Sequence, residues 1–294
     1  MDPYLVILAG GMSSRMKQPQ SATPGLDDEL LREAQEKPKS MISVGAGGRP
    51  LMDYLLYNAR EAAYEEIVMV VGTRDVHIRK FYGKPVAAKK TWGMNITYAL
   101  QKIPPGRTKP LGTADALLQA LRGHPEWKGK QFTVCNSDNL YSRAALRLLL
   151  ETPHSCAMID YDREALQFEQ SRIEQFAVIQ KNSRGFLTDI IEKPTKEELA
   201  AATCQDGRVG ISMNIFRFPY DIILPLLKNF PLHPVRHEKE LPQVVKMMAE
   251  RNPELIKTMP LAEYVPDLTS PGDIVKVREY LLREFPEVMT VPHY

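Results

Sequence analysis

The stretch Tyr4–Met16, YLVILAGGMSSRM, constrains the fold more than any other part of the chain. An apolar, β-branched run that stops at two glycines reads as a strand buried on both faces and ending in a turn. Two more runs have this character, EIVMVVG (66–72) and QFTVCN (131–136). Between them, LMDYLLYNAREAA places Leu55, Leu56, Ala59, Ala62 and Ala63 on one helical face, and TADALLQAL does the same with Ala114, Leu117, Leu118 and Leu121. Strand–helix alternation with right-handed crossovers predicts an α/β fold: a Rossmann-like, doubly wound mixed sheet in three α/β/α layers.

The second half is more mixed. FAVIQ, FLTDIIEKP and VGISMNIFRF read as strands, with NSRG as a hairpin connection. A helix follows with Leu241, Val244, Val245 and Met248 on one face. A last helix starts near Ser270, where SPGD offers a cap residue, a first-turn proline and Asp273 as the capping-box acid. Residues 1–294 read as one domain, with 240–294 as its helical C-terminal part. Lys17–Pro38 is a polar insertion beside the glycine turn, placed where a lid would be.

A net charge of +2 gives no case for a nucleic-acid groove or a membrane patch. Cys135, Cys156 and Cys204 are too widely spaced for a zinc or disulfide framework, so the expected compartment is the reducing cytoplasm. The six histidines are scattered and no Ser-His-Asp or Cys-His arrangement stands out, so covalent catalysis is not expected.

In an open parallel sheet, ligands bind beyond the carboxyl ends of the strands. Gly10 and Gly11 let backbone approach a phosphate closely, and Arg15 offers it paired donors. A tight turn with an exposed arginine would read the same way. The turn is neither the G-x-G-x-x-G dinucleotide fingerprint nor a P-loop. Asp138 stands at the carboxyl end of the third buried run, where Mg²⁺ bridging phosphates would lie. An Asp-Asn turn is the competing reading. Asp267, in VPDLTSPGDI, is the candidate second carboxylate.

LAGGMSSRM followed by KPKSMISVGAGGRPLMDYLLYNA, then LGTADAL, NSDNLY and IIEKP, resembles the nucleotidyltransferases that make NDP-sugars from sugar 1-phosphates. Five motifs fall in the family's order over nearly the whole chain. The resemblance implies a fold of the nucleotide-diphospho-sugar transferase type and Mg²⁺ as cofactor. It also implies transfer of a nucleoside monophosphate from an NTP to a sugar 1-phosphate, with pyrophosphate released. By resemblance, Leu8, Ala9, Gly10, Gly11, Gly112 and Thr113 bind the nucleotide, and Lys39 binds the triphosphate beside Arg15. Lys17 and Lys37 are neighbours that could be confused with Lys39. Glu192 would accept from sugar hydroxyls, Lys193 would neutralise the sugar's phosphate, and Asn214 would be a further sugar contact. Three departures bear on specificity. Arg107 and Pro110 stand where uridylyltransferases carry glutamines, and Ala177 replaces a glycine of the sugar pocket. The opening motif is also close to that of enzymes that attach a nucleotide to molybdopterin. Phosphocholine-like acceptors, and a non-catalytic nucleotide-sugar sensor, remain alternative readings.

Overall fold

The computed structural model describes residues 1–17, 25–84 and 92–286. Its strands are β1 (Tyr4–Leu8), β2 (Glu66–Gly72), β3 (Asn95–Gln101), β4 (Gln131–Asn136), β5 (Cys156–Asp162), β6 (Ala177–Lys181), β7 (Leu187–Ile191), β8 (Gly210–Ser212), β9 (Ile215–Pro219) and β10 (Ile256–Leu261). All ten lie in one sheet, in the order β3-β2-β1-β4-β9-β5-β8-β6-β7, with β10 on β5. β1 to β4 are mutually parallel, and β9 runs antiparallel between β4 and β5.

The helices are α1 (Asp28–Glu36), α2 (Leu51–Glu61), α3 (His77–Tyr82), α4 (Thr113–Gly123), α5 (Arg143–Glu151), α6 (Gln170–Ile173), α7 (Lys196–Ala202), α8 (Tyr220–Asn229), α9 (Leu241–Arg251) and α10 (Gly272–Glu284). They cover both faces of the sheet, and β1 shows how. Leu5 and Ile7 join a core with Leu55 of α2 and Leu146 of α5. Val6 and Leu8 join a second core with Leu117 of α4, Ile223 of α8 and Val244 of α9. Successive strand residues point to opposite faces, so a strand buried on both sides must be apolar throughout. Each such side chain stabilises the sheet by about 2 kcal/mol relative to exposure.

Four expectations need correction. The first strand stops at Leu8, one residue early, leaving Ala9 in the turn. VGISMNIFRF is two strands, because Asn214 between them adopts φ +57, a left-handed conformation that interrupts a ladder. The C-terminal part is not all helical, since β10 adds to the sheet beside β5. The insertion's helix α1 is built into the core through Leu30 and Ala34 rather than lying over the cleft as a lid. Residues 18–24 of that insertion lie outside the described residues. The last helix has Pro271 rather than Ser270 at its cap position, while the Asp273 carboxylate accepts from the backbone N–H groups of Thr269 (3.0 Å) and Ser270 (2.7 Å). Ser270 itself serves α10 through its carbonyl, which accepts from Asp273 N.

Candidate active site

A cleft of about 200 Å³ opens at the carboxyl ends of β1 and β4, where an open α/β sheet binds its ligands. It is lined by Leu8, Ala9, Gly10 and Gly11 from the first turn, Lys39 after α1, Gly112 and Thr113 at the start of α4, and Asp138 after β4. Four segments singled out along the sequence thus share one cleft. Parallel β1 and β4, paired in register with Leu8 opposite Asn136, bring the first turn beside Asp138.

Lys39 Nζ donates to Asp138 Oδ2 at 3.0 Å, joining positions 99 residues apart. Lys17 is exposed and lies outside the cleft-lining set, and Lys37 pairs with Glu33, so Lys39 is the lysine that faces Asp138.

Asp267 is reached through backbone. Leu268 N donates to the Asp138 carbonyl at 2.9 Å, and Asn139 bridges to Asp267, so the two acids stand on adjoining chain segments. The Asp267 side chain is buried behind the cleft, where Arg172 Nη2 (2.7 Å) and Thr269 Oγ1 (3.0 Å) donate to Oδ2. Burial raises its carboxyl above the usual range, and the nearby Asp138 charge adds to the rise, while Arg172 and Lys39 oppose it. Arg172 also pairs with Asp273 and stacks on Phe168, 4.6 Å from the ring centroid. Arg172 was not singled out because it is one arginine in a charged stretch with no motif around it.

The remaining predicted residues are not brought into the cleft. Arg15 is exposed in the turn after Ser13 and lines no part of it. Glu192 is exposed and accepts from Arg236 Nη2 at 2.6 Å. Lys193, at φ +51, lines a separate recess with Arg163, Gln175 and Lys196. Asn214 sits beside the end of β4, since Ile215 pairs with Cys135, but it does not line the cleft. Of the two residues that replace glutamines, Pro110 lines the cleft, whereas Arg107 donates to the His237 carbonyl at 2.8 Å outside it.

Gln101 lines the cleft without having been foreseen. It is buried at the end of β3, and its amide donates to the Gly112 carbonyl (2.8 Å) and to Asp115 Oδ2 (3.1 Å). A polar residue at the carboxyl end of a parallel strand is the signal that could have revealed it, but Asn95 and Thr97 break up β3, which does not read as a buried run.

Gly112 is required by geometry. Its φ is +102, and a Cβ there would lie 2.6 Å from the Lys239 carbonyl oxygen. Lys239 is fixed in turn, because its carbonyl accepts from Ala114 N at 2.9 Å. We expect Gly112→Ala to cost about 2 kcal/mol or more of stability and to weaken nucleotide binding. Denaturant titration and nucleotide calorimetry check this, and an unchanged midpoint would count against it.

The comparisons with known proteins follow this geometry. A family model described as nucleotidyl transferase matches residues 33–283. The chain belongs to the nucleotidyl transferase family. Among curated relatives, the bifunctional protein GlmU of Methanococcus maripaludis is 23% identical over 260 residues, 88% of this chain and 53% of the relative. The bifunctional protein GlmU of Staphylococcus epidermidis is 24% identical over 250 residues, 84% of this chain and 46% of the relative. The chain therefore spans about half the length of the curated relatives it matches. Two solved structures share the fold. One is assigned as a glucose-1-phosphate thymidylyltransferase from Bacillus anthracis, in complex with a sucrose. It has a TM-score of 0.64 at 16% identity, over 94% of each chain. The other is a UDP-glucose pyrophosphorylase complexed with UDP-glucose, with a TM-score of 0.67 at 15% identity, over 97% of this chain and all of that one. Among the described residues no helix is long and apolar enough to cross a membrane.

Proposed function

We propose that the chain transfers a nucleoside monophosphate from a nucleoside triphosphate to a sugar 1-phosphate. The observation that carries this reading is the convergence of the glycine turn, Lys39, Gly112–Thr113 and Asp138 on one cleft. An oxygen of the acceptor phosphate forms a bond to the α-phosphorus, the bond from that phosphorus to the bridging oxygen breaks, and pyrophosphate leaves with the electron pair. Such a step needs positioning and charge neutralisation rather than a protein nucleophile. Lys39 neutralises the triphosphate, and Arg15, two residues beyond cleft-lining Ser13, supplies a second cation. The backbone of Gly10, Gly11, Gly112 and Thr113 holds the nucleotide. Glu192, Lys193 and Asn214 stand outside this cleft, and its geometry gives them no part in the step.

Among the described residues no group of three or more His, Cys, Asp or Glu is arranged to hold a metal. Mg²⁺ takes one or two carboxylates, completed by phosphate oxygens and water, and the Asp138 charge acts on Asp267, which stands behind the cleft on Arg172. Asp138 and Asp267 are the residues that would hold it. The ion would supply charge stabilisation at the phosphates. Lys39 and Arg172 hold carboxylate oxygens of this pair.

The reading is tested by pyrophosphate release with Mg²⁺, running the four common triphosphates against sugar 1-phosphates and phosphocholine. Release with one sugar 1-phosphate pair supports it and names both substrates. Release only with phosphocholine moves the acceptor to that class. Silence across the panel with nucleotide binding intact favours a molybdopterin-type acceptor or a nucleotide-sugar sensor.

A further inference from the structure

Among the described residues of the polar insertion before Lys39, one acid is buried, and the mechanism does not use it. Glu33 lies in α1 between Leu30 and Ala34 and is only 8% exposed. A buried carboxylate requires partners, and those of Glu33 lie on either side of Lys39 in the chain. Ser43 N donates to Oε2 at 2.7 Å, Ser43 Oγ donates to Oε1 at 2.9 Å, and Lys37 Nζ donates to Oε1. The Lys37 backbone N–H donates to the Glu33 carbonyl at 2.8 Å, tying the same point a second time.

Between the two tied residues runs a short 3₁₀ turn, Lys39–Met41, closed by Ile42 N donating to the Lys39 carbonyl. Met41 and Ile42 are buried, so the turn is anchored in the core on its far side. Lys39 therefore leaves a segment held at Lys37, at Ser43 and by apolar packing, and its Nζ reaches Asp138. Burial alone would raise the Glu33 carboxyl, yet the bonds from Lys37 and Ser43 outweigh burial and hold it below the usual range.

We infer that Glu33 is a positioning residue for Lys39: its carboxylate clamps Lys37 to Ser43 and so fixes where the Lys39 ammonium meets the triphosphate and the departing pyrophosphate. The insertion thus acts as a buttress for the cleft. This inference rests on the role proposed above for Lys39. Displacing a charge-stabilising group by about 1 Å can cost on the order of 100-fold in rate, so a clamp outside the cleft can still govern turnover.

The test is a double-mutant cycle on pyrophosphate release by the full chain, with Glu33→Ala, Lys39→Ala and the double variant. Glu33→Ala is expected to lower kcat about 10-fold to 100-fold, with the acceptor KM unchanged. The double variant is expected to be no slower than Lys39→Ala, since a clamp acting through Lys39 has nothing left to position. Glu33→Gln keeps an oxygen that accepts from Ser43 and should restore most of the lost rate; if circular dichroism shows that Glu33→Ala does not fold, Lys37→Met, which removes the ammonium at the other end of the clamp, takes its place in the cycle. Additive losses in the double variant, or normal kcat in Glu33→Ala or the variant that replaces it while Lys39→Ala is impaired, would overturn the clamp alone. An unimpaired Lys39→Ala would overturn the role of Lys39 and the clamp with it.

Discussion

Asp138→Ala is expected to lower pyrophosphate release by about 10³-fold, equivalent to about 4 kcal/mol of lost transition-state stabilisation. Among the described residues Asp138 is the one carboxylate that lines the cleft, and it stands where the carboxyl end of β4 meets the first turn. The fold should survive, because the neighbouring segment is tied to Asp138 through its carbonyl, which accepts from Leu268 N whatever the side chain. Asp138→Asn, which keeps the shape and removes the charge, should lose nearly as much. Binding of the metal-free triphosphate should hold or tighten in both variants, since a negative charge leaves an anion site and Lys39 is released from its pair. Turnover within tenfold of the unaltered chain would remove Asp138 from the mechanism.

Asp160→Ala is expected to have the largest effect on stability, about 3 kcal/mol. Asp160 is fully buried in the middle of β5, and its Oδ2 accepts from Arg208 Nη2 at 2.5 Å and from Lys181 Nζ. Lys181 belongs to β6, and Arg208 lies in the turn before β8, so one carboxylate joins three segments of the sheet. Gly210 packs against it so closely that a Cβ there would lie 2.1 Å from Oδ1. Removing the acid leaves two cations facing an empty apolar space. Their side chains are 16% and 17% exposed, so water relieves part of the cost. Asp160→Asn should fall between alanine and the unaltered chain. The check is the denaturant midpoint at constant slope; a loss below about 1 kcal/mol would mean that both cations turn to solvent at little cost.

The two acids differ in how far the sequence revealed them. Asp138 follows an uninterrupted apolar run, and such a run places the next acid at a known end of a parallel sheet. Asp160 interrupts a run, in CAMIDYD, and an acid in mid-strand argues against burial until its partners are known. β3 and β10 were illegible for related reasons. β3 is broken by Asn95, Thr97 and Gln101, and β10 carries Lys257 and Pro260. Helix α1 looked like surface because its mean composition is polar, although Leu30, Glu33 and Ala34 are buried.

By itself, the sequence determined β1, β2 and β4 with the helices α2 and α4 between them, the glycine turn, the family, and the segments that build the cleft. These are written in short-range patterns of burial and turn chemistry, which neighbouring residues specify together. Tertiary structure alone decided which charges meet: Lys39 with Asp138, Arg172 with Asp267, Arg236 with Glu192, and Glu33 with both flanks of Lys39. An ion pair depends on distance in space, and folding sets the distance between segments far apart in the chain, so no local pattern records it.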